Sequence, residues 1–125
     1  MANRIRITAG TVAVDAELRD SETARRIYDA LPLDASASTW GDEIYFGIPV
    51  DCKREPDARA EVEVGDLGYW LAGSCCCIFY GRTPMSSGEQ PVAASEVNVF
   101  GRIVGDATVL RGTRSGTKVV VEKLV

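Results

Sequence analysis

The chain has 125 residues, 46% hydrophobic and 26% charged, which suits a single soluble globular domain (1–125) able to bury its own core. A net charge of −4 with no run of Lys or Arg argues against nucleic acid, whose phosphates call for a basic surface. There is no histidine, so the commonest general base near neutral pH and the commonest metal ligand are both missing.

The N-terminal M-A-N-R-I-R-I-T lacks the apolar segment of a signal peptide, and no apolar run reaches membrane-spanning length. A cytoplasmic, reducing setting is the expectation. Ile5 and Ile7 alternate with polar neighbours, and so do Val12, Val14, Ala16 and Leu18. Period two across Gly10 predicts an N-terminal hairpin. Ser21 offers an N-cap, and Ala24, Ile27, Tyr28 and Leu31 share one helical face, so a helix is predicted over 21–31, ended by Pro32. Strands follow at 36–40 and 43–48 around a Gly41–Asp42 turn. The 53–59 segment is polar and reads as a surface loop. Short strands are predicted around Val62 and Val64, at 69–71 and at 75–80. A turn-rich connection spans 81–94, and loops of this length inside a compact domain are often functional. Val97–Val104 is a strand interrupted by Gly101, which suggests a bulge or a close backbone approach. One helical turn is expected near 107–111 and a final strand at 118–124. The fold class is mostly β: about eight short antiparallel strands with one good helix must curl into a sandwich or close into a barrel to protect their edges.

Both tryptophans, three of the four tyrosines and two of the three phenylalanines fall in Trp40–Phe46 and Gly65–Ser86. Aromatics so concentrated either fill a small β-core or line a cleft for a flat or apolar ligand. Cys52 and the consecutive Cys75, Cys76 and Cys77 have neither the spacing of a secreted disulfide framework nor that of a zinc site. On a strand, Cys75 and Cys77 face one way and Cys76 the other, as small buried hydrophobes. No metal and no cofactor is called for.

The string V-N-V-F-G-R-I-V-G at 97–105 resembles the V-V-F-G segment of cyclophilins, the peptidyl-prolyl isomerases built on an eight-stranded antiparallel barrel. A closer resemblance is to a small prokaryotic group of cyclophilin-like domains of unknown function. That group carries T-W-G-[DE]-E-I-Y-F, G-D-x-G-Y-W, C-x-F-[FY]-G-[RK]-T-P-M-S and V-N-V-x-G. These motifs stand here at Thr39–Phe46, Gly65–Trp70, Cys77–Ser86 and Val97–Gly101. The resemblance covers nearly the whole chain and implies a closed cyclophilin-like barrel with a cleft on one outer face. It also exposes departures from the isomerases. The strand arginine they use has no basic counterpart near Trp40, and Ile48 stands at their glutamine. Val97 takes the place of their histidine, and the 91–96 segment P-V-A-A-S-E lacks their tryptophan. An aromatic on the 75–80 strand survives as Phe79 or Tyr80.

Three functions compete. A small-molecule or peptide-binding module would take flat walls from Tyr45, Tyr69, Trp70, Phe79 and Met85, and polar contacts from Glu43, Arg82, Ser86 and Asn98. A prolyl isomerase would take its apolar pocket from Tyr45, Phe79 and Met85 and its hydrogen-bond donor from Arg82, with a proline-containing peptide as substrate. A hydrolase would use Glu43 with Asp42, or Asp66, as its carboxylate base. Tyr45 and Phe79 are expected to look toward a shared hollow. Exposed edge strands would permit a homodimer.

Overall fold

The computed structural model describes residues 3–124; residues 1, 2 and 125 of the expected domain lie outside the described residues. Strands β1 (Arg4–Ala9) and β2 (Val12–Leu18) form the expected hairpin. Helix α1 (Glu22–Asp29) follows, then β3 (Leu33–Ser36), β4 (Ser38–Thr39), β5 (Glu43–Gly47) and β6 (Arg59–Glu61). β7 (Asp66–Trp70), β8 (Cys75–Phe79) and the long β9 (Val92–Val104) come next. A 3-10 helix (Ala107–Leu110) and β10 (Lys118–Leu124) complete the chain. All strands pair antiparallel in one sheet of order β3-β10-β1-β2-β9-β7-β8-β5-β4, with β6 added to β9.

The first and last strands of that order, β3 and β4, are separated in sequence by Ala37 alone. The sheet thus curls into a barrel-like cylinder whose rim is joined by the chain itself; no ladder between β3 and β4 seals it, unlike the fully hydrogen-bonded closure expected. Ala37 is the switch point. Its N–H donates to Thr117 O at 2.8 Å, and its carbonyl accepts from Gly116 N at 2.8 Å, as the chain leaves β10 for β5. This divides the single 36–40 strand read from the sequence.

Helix α1 begins where expected, with Ser21 Oγ accepting from Ala24 N at 3.2 Å. It ends at Asp29, short of the predicted 31, because Ala30 N and Leu31 N turn back to Ile27 O and Tyr28 O. Its buried Ala24 and Ile27 join Ile5, Ile7, Ile44, Phe46, Leu67, Ile78 and Phe100 in the interior cluster, as do Ala107 and Leu110 of the 3-10 helix. This interior is solid: the void among Ile5, Ile7, Ile27, Phe46, Phe100 and their neighbours measures about 10 Å³, no more than a single water needs.

The bulge forecast at Gly101 is present. Leu67 pairs with Gly101 but Gly68 pairs with Val99, so Phe100 is the extra residue. A Cβ at Gly101 would meet Glu17 O at 2.9 Å, which is why a glycine stands there. The shift in register sends Val97 and Val99 to the outside of the cylinder and Phe100 to the inside. A second, outer cluster results, made of Val62, Cys77, Phe79, Ala93, Val97 and Val99.

Candidate functional site

Alternation on two neighbouring strands builds the site. On β5, Ile44 and Phe46 point inward, leaving Glu43 and Tyr45 outside; on β8, Cys76 and Ile78 point inward, leaving Cys75, Cys77 and Phe79 outside. The register sets Glu43 opposite Phe79 and Tyr45 opposite Cys77. Phe79, Val97 and Val99 are buried in the floor on this side. Gly68 lets them sink: a Cβ there would lie 2.9 Å from Val97 Cγ2.

Above that floor lies a cleft of about 210 Å³ lined by Trp40, Glu43, Tyr45, Trp70, Cys77, Ala93 and Ala94. It lies on the outer face of β5 and β8. Its walls are held in place. Trp70 Nε1 donates to Ser95 Oγ at 2.6 Å, and its ring lies over Gly73, where a Cβ would be 2.6 Å from Cζ3. Trp40 N donates to Glu43 O at 2.9 Å, closing the turn between β4 and β5. That turn is clamped onto the end of β8, since Asp42 N donates to Arg82 O at 2.7 Å and Tyr80 N donates to Asp42 O at 2.9 Å. Gly41 has φ +62, and a Cβ on it would meet Arg82 O at 2.8 Å, so the clamp requires glycine there.

Glu43 is the chemical centre of the cleft. It is 5% exposed, and among the described residues its Oε1 has no hydrogen-bond partner. Burial pushes its carboxyl up to about 7, against a lowering by the hydrogen bond with the Cys77 thiol. The Cys77 thiol is itself held well above its ordinary range, by burial first and by the Glu43 charge next. Burial also pushes Cys76 up to about 12 and raises Cys75. All three consecutive thiols are therefore held in the protonated form at neutral pH, which is the opposite of what a thiolate nucleophile requires. Among the described residues no group of three or more Cys, Asp or Glu side chains is placed to hold a metal ion, and no helix is long and apolar enough to cross a membrane.

The sequence-predicted site residues divide. Glu43, Tyr45 and Trp70 line the cleft together. Phe79 shares their face but is fully buried in the outer cluster and does not line the cleft, so the hollow expected between Tyr45 and Phe79 is filled by packing. Tyr69 faces the interior instead, where its hydroxyl donates to Val50 O at 2.7 Å. Asn98 is also fully buried, and every contact it makes is structural: Oδ1 accepts from Glu55 N, while Nδ2 donates to Thr23 Oγ1 and Lys53 O. Ser86 ties its own loop, accepting from Thr83 N and donating to Gln90 O. Met85 is exposed, and so is Arg82, whose side chain is outside the cleft lining. Asp66 accepts from Glu63 N at 2.8 Å and faces Arg102, away from Glu43. Asp42 pairs with Arg111 at 3.6 Å.

Trp40, Cys77, Ala93 and Ala94 are the lining residues that sequence reasoning did not assign to a ligand. Cys77 was legible, because period two places it on the face of Tyr45 and Glu43. Ala93 and Ala94 were not, because they fall where the pattern reads as loop.

A family model described as cyclophilin-like matches residues 3–122. Among solved structures, the chain is similar to a hypothetical protein of Archaeoglobus fulgidus determined in solution. The two are 41% identical, with a TM-score of 0.83 over 98% of this chain and 95% of that one. No curated protein matches the sequence. With the family model spanning nearly all of the described strands, the chain belongs to the cyclophilin-like family.

Proposed function

We propose that this domain is a small-molecule-binding module whose site is the outer-face cleft. The observation that carries the reading is the buried Oε1 of Glu43, which has no partner among the described residues. A buried acceptor left unpaired costs about 1–3 kcal/mol, and more when charged. A ligand that supplies the missing hydrogen bond recovers that cost, while Trp40, Tyr45 and Trp70 shield it from water. The cleft volume of about 210 Å³ is below the usual range for drug-sized ligands, so the site suits a compact molecule or the end group of a longer one.

The isomerase reading has less support. It needs a preorganised donor over the apolar pocket, and the cleft lining contains no arginine, Arg82 being exposed beyond it. The hydrolase reading has less support too: it needs a nucleophile beside Glu43, and the Cys77 thiol in the lining is held in its protonated form.

A thermal-shift screen against a mixed library of small metabolites tests the proposal. Ligands present at about 100 times Kd should stabilise the fold by about 2.7 kcal/mol. Tyr45→Ala, on the outer face, should abolish the shift while preserving cooperative unfolding. If no compound shifts the wild-type protein, or if Tyr45→Ala leaves every shift unchanged, the cleft is not the site.

A further inference from the structure

Resting on that reading, we infer that the ligand of the cleft carries a protonated amine, seated with its N–H on Glu43 Oε1 and its carbon skeleton against Trp40, Tyr45 and Trp70. Three observations converge on this class. The carboxyl lines the cleft, and its buried Oε1 has no hydrogen-bond partner among the described residues, so what it lacks is a donor. Three aromatic side chains share the lining, and the negative faces of aromatic rings attract cations once water is excluded. Among the described residues no Lys or Arg lines the cleft to compete for the carboxylate.

The surroundings of Glu43 agree. On β8 it stands opposite Phe79, with Cys77 opposite the next outward residue and Cys75 beyond; its own strand contributes Tyr45, and the adjoining turn contributes Asp42, already paired with Arg111. Tyr80, beyond the end of β8, feels Glu43 as a repelling charge. No cation is among the causes that set the carboxyl, and burial dominates them. A carboxyl standing at about 7 is half ionised at neutral pH, so a cationic ligand forfeits only about a factor of two in affinity to draw it fully into the anion. A ligand with a carbonyl or carboxylate at this spot would instead need Glu43 protonated, and its affinity would move the opposite way with pH.

Benzylamine and benzyl alcohol, nearly equal in shape and differing in charge, separate these cases. The two tryptophans of the chain both line the cleft, so intrinsic fluorescence reports binding directly. Benzylamine should bind at least tenfold more tightly than benzyl alcohol at pH 8. Its affinity should rise about tenfold from pH 6 to pH 8 as Glu43 ionises, while the alcohol should show no such rise over that range. Glu43→Gln should weaken the amine at least tenfold and remove its pH dependence. Should that variant unfold, the pH profile of the wild-type protein still decides. Equal binding of amine and alcohol, or amine binding that weakens with rising pH, overturns the inference. If neither probe binds while neutral or acidic library compounds give shifts that Tyr45→Ala abolishes, the amine is the wrong class and the binding site stands. If nothing binds at all, both fall.

Discussion

Replacing Glu43 by glutamine isolates the energetic signature of the site without any ligand. The Glu43 carboxyl stands at about 7 in the folded protein against an ordinary value of 4.5, and burial is the main cause. Below 4.5 the group is protonated in both folded and unfolded chains and contributes no pH dependence. As pH rises from 4.5 to about 7, the unfolded chain releases its proton while the folded one keeps it, so stability falls through this window. At 1.36 kcal/mol per pH unit, the loss on account of this group is about 3 kcal/mol, complete above pH 7. Glu43→Gln removes the titration and keeps the shape, so other groups cancel in the comparison. Urea unfolding of both proteins at pH 4, 5, 6, 7 and 8 gives the difference in unfolding free energy. That difference should shift by about 3 kcal/mol in favour of the variant between pH 4 and pH 8. A difference that stays constant within about 0.5 kcal/mol would show that Glu43 is not desolvated in the cleft, and the proposed site would lose its central feature.

Other substitutions probe the supports. Gly68→Ala places a methyl 2.9 Å from Val97 Cγ2 and should destabilise the fold by about 1–3 kcal/mol in urea melts, through overpacking of the cleft floor. Asn98→Ala takes away the side-chain partner of Glu55 N and of Lys53 O, and should lower the unfolding free energy by about 2 kcal/mol or more while leaving any cleft ligand bound as before. Ser95→Ala removes the acceptor of Trp70 Nε1; it should cost about 1 kcal/mol or less and alter tryptophan emission, because the indole is no longer fixed. Arg82→Ala should change affinity in the cleft by less than about twofold, since an exposed side chain outside the lining removes no buried contact.

Local pattern was enough for most of the elements. The hairpin of β1 and β2, the Ser21 cap, the bulge beside Gly101 and the last strand all follow from periodicity, capping and glycine, and these act over a few residues. Period two also dictated that Glu43, Tyr45, Cys77 and Phe79 share a face once β5 and β8 are neighbours. What only the tertiary structure decided was which face that is and how deep each side chain sits on it. Tyr69 follows Gly68 on a strand buried on both sides, and alternation cannot say whether the interior or the outer cluster claims it; the register with β8 and β9 sends it inward, to Val50. Asn98 likewise had two possible destinations, and the bulge at Phe100 set the parity that delivers it to Thr23 and Lys53. Arg82 lies against the turn before Glu43, yet its carbonyl is taken by Asp42 N in holding that turn, and its side chain is left outside the cleft. Burial is a property of many strands packed together, so the unpaired acceptor at Glu43, on which the functional reading turns, could be recognised only after the barrel was assembled around it.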